Sequence, residues 1–193
     1  TDMGSSQATI GLSIGAVHQC VIFKPAGTAA SRLQCWGYAA NGALGATVSG
    51  DLFTDAIDYS PVSHPEDKDI VYVSLGTSFG CFIDADEQVY CWGRNDLGSL
   101  GIGTSQPQSG CETDCERLPQ PVQGIGQVVS LATGDFHTCA LNRDGEVWCW
   151  GSGSLGQLGA GQFSNSNSPV KVETIVEGVE QVAVSSTGAS DTD

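Results

Sequence analysis

Three signatures recur in the same order three times along this chain, and that repetition limits its fold more than any other feature. A glycine-led run ending in cysteine appears as Gly15-Ala16-Val17-His18-Gln19-Cys20, as Gly76-Thr77-Ser78-Phe79-Gly80-Cys81 and as Gly134-Asp135-Phe136-His137-Thr138-Cys139. Each is followed by a Cys-Trp-Gly triplet beginning at Cys35, Cys91 or Cys149, and then by Gly-x-Leu-Gly beginning at Gly42, Gly98 or Gly156. Trp36, Trp92 and Trp150 lie 56 and 58 residues apart. A self-similar unit of this length is one supersecondary element that buries its apolar face only by stacking on its neighbours. In the fullest copy, residues 131–159, the pattern predicts a strand ending at Gly134, a tight hairpin and a glycine-rich return.

The hairpin reading orders the cysteines. Eight cysteines allow about a hundred pairings. Pairing Cys139 with Cys149 sets Leu141 opposite Val147 and Asn142 opposite Glu146. It leaves a three-residue loop, Arg143-Asp144-Gly145, whose last residue needs a positive φ. The two cysteines then face each other across adjacent strands, within disulfide reach. Cys81 and Cys91 have the same separation, and Cys20 and Cys35 allow a longer tip over residues 24–32. Cys111 and Cys115 enclose Glu112-Thr113-Asp114 and are expected to pair with each other. Four bridges without an odd thiol point to an oxidising compartment. Zinc is the weaker reading, because the remaining cysteine pairs sit on separate repeats.

Charge narrows the function classes. Seven Lys and Arg stand against 22 Asp and Glu, for a net charge of −15. Such a chain has no basic footprint for phosphates, which argues against nucleic acid, and an anionic membrane surface would repel it. The acidity suits solubility or a basic partner. Hydrophobic residues make up 40% of the 193 positions, enough for one folded domain, and 26 Gly with seven Pro suit a turn-rich all-β chain. No apolar run is long enough for a transmembrane helix. The start at Thr1 has neither the basic nor the apolar region of a signal peptide, so we expect a processed or excerpted chain.

In chain order we expect a single repeat domain, 1–193, with units at about 10–60, 61–118 and 119–168 and a partial fourth at 169–193. The pairs Pro61-Val62, Pro121-Val122 and Pro169-Val170 mark outer strands, and residues 170–172 and 181–185 repeat opening strands. Two irregular connectors stand out. The first, residues 46–69, carries Asp51, Asp55 and Asp58, a weak calcium candidate whose spacing matches no EF-hand, and Phe53, Tyr59 and His64, candidate anchors for a partner. The second, residues 102–119, holds the small Cys111–Cys115 ring.

Glycine followed three residues on by histidine (Gly15/His18 and Gly134/His137), the Cys-Trp-Gly triplets and the Gly-x-Leu-Gly closings resemble the regulator of chromosome condensation repeat family. The resemblance covers nearly all of residues 10–159. It implies an all-β propeller of four-stranded blades, about seven to a ring. This chain would supply three blades and the opening strands of a fourth. Such an arc does not close, so we expect a longer polypeptide, copies that complete a ring, or an unusually small arrangement. The cysteines at paired hairpin positions look like the secreted bacterial branch. Trp36, Trp92 and Trp150 are expected between blades. His18 and His137, one per blade, are expected in structural roles, bonding a neighbouring loop, rather than as a catalytic or metal pair.

Catalytic signatures are missing: there is no phosphate loop, no nucleophile elbow and no spare cysteine. The resemblance implies binding, since members act as exchange factors, enzyme inhibitors and adhesive or scaffold modules. The expected function is therefore non-catalytic recognition of a protein or glycan through propeller loops, secreted or at a cell surface, with no cofactor. Two alternatives stand beside it: an extracellular hydrolase whose site is partly on absent repeats, and a structural component of a larger extracellular assembly.

Overall fold

The computed structural model describes residues 8–25, 27–28, 30–45, 53–54, 60–62, 68–104, 114–173 and 178–184. The described strands form three antiparallel sheets, as the repeat requires. The first joins β1 (Ala8–Ile14), β2 (His18–Lys24) and β3 (Arg32–Tyr38), with β4 (Phe53–Thr54) and β5 (Ser60–Val62) both paired to β3. The second runs β6 (Ile70–Leu75), β7 (Phe79–Asp84), β8 (Val89–Arg94) and β9 (Cys115–Pro121) in order. The third runs β10 (Val128–Thr133), β11 (His137–Asn142), β12 (Val147–Gly151) and β13 (Ser166–Lys171). Each Pro-Val signature begins on or beside the strand that closes the outer edge of the sheet before it. An edge is where a residue lacking an N–H is tolerated.

The hairpin register is the one the sequence implies. Cys139 pairs with Cys149 and Leu141 with Val147. The Asn142 N–H donates to the Glu146 carbonyl at 3.0 Å, and Gly145 turns the chain at φ 78°. Disulfides join Cys20 to Cys35, Cys81 to Cys91 and Cys139 to Cys149, with Cα atoms 4.1 Å apart in each pair. Closing a ten-residue loop in this way stabilises by about 2 to 3 kcal/mol in the chain-entropy account. Cys115 is also disulfide-bonded. Cys111 lies outside the described residues.

The hairpin tips are held by a residue the sequence reading passed over. Asn142 Oδ1 accepts the N–H groups of Asp144 and Glu146 at 3.1 and 2.9 Å, while its Nδ2 donates to the Ile125 carbonyl at 3.0 Å. Asp84 holds the second tip likewise, accepting from Asp86 and Gln88. Both are buried. Asn142→Ala strands the Ile125 carbonyl and two turn donors, so we expect a loss of about 1 to 3 kcal/mol, read as a lower urea midpoint at unchanged slope.

The core lies between sheets rather than within them. Successive strand residues face opposite sides, so Cys81 and Phe82 on β7 look toward different neighbours. One apolar cluster joins Cys20, Ile22, Leu33, Cys35 and Leu44 of the first sheet to Val73, Leu75, Phe82, Tyr90 and Trp92 of the second. The next joins Cys81, Ile83, Cys91 and Leu100 of the second sheet to Leu131, Ala140 and Trp150 of the third. The second sheet is covered on both faces, and every residue of β7 is buried. The first sheet's other face carries Leu12 and Ile14, both exposed, and half-buried Trp36.

Beyond β13, residues 178–184 lie beside the third sheet. Val179, Val182 and Val184 pack on Cys139, Leu141, Val147, Cys149 and Leu158. The expected strand over 181–185 has no ladder among the described residues. The Val182 N–H instead donates to Ser130 Oγ at 3.2 Å, a side-chain acceptor in place of a strand partner.

Candidate functional site

Two contacts explain the Cys-Trp-Gly and Gly-x-Leu-Gly signatures together. The Trp92 indole N–H donates to the Ala43 carbonyl at 3.0 Å, and that of Trp150 donates to the Ser99 carbonyl at 2.9 Å. Ala43 and Ser99 are the x residues of the closings at Gly42 and Gly98. A Cβ on Gly45 would stand 2.9 Å from the Trp92 ring, and one on Gly101 2.8 Å from Trp150. The closing loop of one unit is thus the seat for the next unit's tryptophan. A buried indole needs such an acceptor.

Near the axis the units meet through glycine. β6 contacts both β1 and β10, which sets these three strands innermost. A Cβ on Gly15 would lie 2.5 Å from the Gly76 carbonyl oxygen, and one on Gly76 2.7 Å from that of Gly134. Ser74 and Thr133 share a hydroxyl hydrogen bond of 2.7 Å, and the Thr77 N–H donates to the Asp135 carbonyl at 3.2 Å. Backbone contacts this close leave the step from unit to unit little freedom.

His18 is wedged into that seam and fully buried. Burial pushes its imidazole down to about 4, opposed in part by the Thr77 backbone in the next unit. The expected hydrogen bond from the imidazole to a neighbouring loop is not formed: among the described residues, neither ring nitrogen reaches hydrogen-bond geometry with any partner. Phe79 takes the equivalent place in the second unit without needing a partner. His137 is half-buried; burial lowers its pKa and the Asp135 carboxylate opposes the shift. The two histidines sit in the first and third units, with the second between them. Glu116 on β9 is buried beside the first unit's turn, with Oε2 unpartnered among the described residues and its pKa raised by that burial.

The sheets present two rims. One carries the turns at Gly15, Gly76 and Gly134 and the glycine-rich returns, from which both connectors leave. Phe53 begins β4, paired to Tyr38, so the first connector starts on this rim. The Phe53 side chain and residues Tyr59, His64, Asp51, Asp55 and Asp58 lie outside the described residues. Among the described residues, no group of three or more His, Cys, Asp or Glu comes together to hold a metal.

The other rim carries the hairpin tips and a set of ion pairs. Lys24 pairs with Asp69 at 3.7 Å, Lys68 with Asp86 at 2.8 Å and Lys171 with Glu146 at 2.5 Å, while Arg143 grips Glu87 of the preceding unit. The Arg143 guanidinium holds the Glu87 carboxyl below its ordinary range. Glu87 stands at φ 64° where the third hairpin has glycine.

Among the described residues, cavities open along the inner strands at both ends. One of about 240 Å³ lies among Gly15, Gly76, Gly134 and Asp135 on the turn rim. The other, about 440 Å³, lies among Val71, Tyr72, Val128, Val129, Glu87 and Glu180 toward the tips. The inner strands share a bulge at one register position, which falls at Ile10, Val71 and Val129. Period-two reading did not find these bulges; the apolar pairs Ile70-Val71 and Val128-Val129, which break alternation, are their trace in the sequence.

Comparison with known proteins agrees with this architecture. A model described as the Regulator of chromosome condensation (RCC1) repeat matches residues 70–99 and 128–157, and a second of the same description matches 86–141 and 144–189. The E3 ubiquitin-protein ligase HERC2 of Homo sapiens is 28% identical over 76% of this chain, and the ultraviolet-B receptor UVR8 of Arabidopsis thaliana 31% over 71%. The matched stretch spans only 3% of HERC2 and 29% of UVR8. Among solved structures, Prp20p of Saccharomyces cerevisiae superposes with a TM-score of 0.71 at 21% identity, over 84% of this chain and 38% of Prp20p. Human WBSCR16 superposes at 0.70 and 25% identity, over 86% of this chain and 41% of that one.

Proposed function

The chain belongs to the regulator of chromosome condensation repeat family, and we propose that it serves as a non-catalytic recognition module, binding a protein partner through loops on its turn rim outside the cell. The observation that carries this reading is the pair of tryptophan seats. Trp92 and Trp150, both fully buried, tie each unit to the one before it and make a rigid platform for the long connectors. Loops on a rigid scaffold are where recognition concentrates. Propellers of this repeat are generally binding or regulatory modules; the related UVR8 is a receptor, and Prp20p is described with its binding to Gsp1p and histones. Those partners belong to those proteins.

The extracellular part of the proposal rests on the disulfides, which persist in oxidising surroundings and leave no free cysteine among the described residues. The partner class rests on the connector aromatics Phe53 and Tyr59 and on a net charge of −15, which favours a basic surface.

Photo-crosslinking groups placed at Phe53 and at Tyr59 in the disulfide-intact chain test the reading. Exposed to the extracellular fraction of the source organism, both should yield one shared protein adduct, suppressed by excess unlabelled chain but not by unlabelled chain carrying serine at both positions. Adducts to polysaccharide alone, or none at either position, would overturn it.

A further inference from the structure

We propose that the cleft between β6 and β10, at the hairpin-tip end of the axis, docks an extended peptide segment that presents an apolar side chain flanked by basic ones. This rests on the protein-recognition reading and gives it a second surface and a partner chemistry.

The cleft is built by a repeated device. In the second and third sheets the strand next to the axis bulges at Val71 and at Val129. The first sheet has the same irregularity at Ile10. A bulge re-aims the extra side chain and bends its strand. Val71 and Val129 are 49% and 47% exposed, while Ile70 and Val128 beside them are 1% exposed. Tyr72 adds a ring at 46% exposure. Branched aliphatic side chains set toward water at one register position, in the second and third sheets, give the cleft apolar surface from both sides.

Size, charge and backbone chemistry select the occupant. A cleft of about 440 Å³ takes a few side chains and is too small for the face of a folded domain. Neither lysine nor arginine lines it. Of its two carboxylates, Glu87 is held by Arg143, while Glu180 stands exposed at the mouth. A basic flank is therefore favoured over an acidic one. Inner-strand hydroxyls already accept main-chain N–H groups: Ser130 takes that of Val182 and Ser74 that of Thr133. Ser130 lines the cleft, and the second lone pair of its hydroxyl would take a peptide N–H laid along the groove. Half of the lining is branched aliphatic, with Tyr72 its one ring, which suits an apolar side chain better than a sugar face.

The test uses the full chain with its disulfides intact. The probes are fluorescein-labelled octapeptide pools with a central Leu, Ile or Phe, flanked either by Arg and Lys or by Asp and Glu. By fluorescence anisotropy the basic pool should bind saturably, and the acidic pool about tenfold or more weaker. Val129→Asp and Tyr72→Ala should each weaken the basic pool by about tenfold, and Glu180→Lys by about threefold. These residues are exposed, so an unchanged far-ultraviolet circular dichroism spectrum and urea midpoint confirm that the variants fold. Equal binding of the two pools, indifference to both Val129→Asp and Tyr72→Ala, or displacement by a neutral oligosaccharide would overturn the assignment. If the Phe53 and Tyr59 adducts form while the groove fails these tests, the recognition reading stands and only the groove is lost.

Discussion

Trp92→Ala should lower the unfolding free energy by about 3 to 5 kcal/mol, a large share of the total for a domain of this size. The ring is fully buried between two sheets, with Phe82 at a centroid distance of 6.0 Å. Its N–H satisfies the Ala43 carbonyl in the preceding unit. Alanine leaves a cavity in the interface and an acceptor without a donor, and both effects have the same sign. Trp36 supplies the comparison within one molecule: it has the same place in the repeat but is only half-buried on the first sheet's outward face. Trp36→Ala should cost no more than about 1 to 2 kcal/mol. Urea unfolding of both variants, with the disulfides kept, decides the matter. Equal losses at the two positions would mean that the seat in the preceding unit contributes little.

Acidification should destabilise the protein through His18, and His18→Phe should remove that sensitivity. The imidazole titrates near 6.5 when unfolded and at about 4 when folded. Between those values the unfolded chain binds a proton that the folded chain refuses, so stability falls as pH falls. The window is about pH 6.5 to 4, and the full loss is about 3 kcal/mol. His137 shifts in the same direction. Glu116, with its pKa raised, acts oppositely: its burial penalty is present above its folded pKa and is relieved as pH falls toward the ordinary carboxylate range. The difference between wild type and His18→Phe isolates the one group. It should change by about 2 to 3 kcal/mol between pH 7 and pH 4.5. Phe79 shows that the equivalent place in the second unit holds a phenyl ring. Parallel stability curves for the two proteins would refute the assignment.

The hairpins were legible because their information is local. Ten residues separate Cys139 from Cys149, and with Gly145 able to take a positive φ only one register puts the cysteines face to face. Asn142 was missed although its signal is local too: an Asn or Asp just before the tip recurs as Asp84 in the second unit. The tryptophan seats were half legible. Periodicity marks Trp92 as interfacial, but its acceptor stands 49 residues earlier, and nothing in the pattern pairs an indole with that carbonyl. For His18 the repeat located the residue, yet whether its nitrogens find partners depends on how closely Gly15 lets the second unit approach.

The tryptophan seat has a consequence for how such chains grow. At both junctions described, donor and acceptor occupy the same places in their units, one facing backward along the chain and one forward. A duplicated unit therefore arrives with a complete connector set, able to follow its parent and to be followed by another copy. Gene duplication, deletion or exchange of whole units leaves the tryptophan seat at each junction chemically unchanged. Variation is then free to accumulate where junctions do not reach, as in the five extra residues between Cys20 and Cys35 and in the unequal connectors.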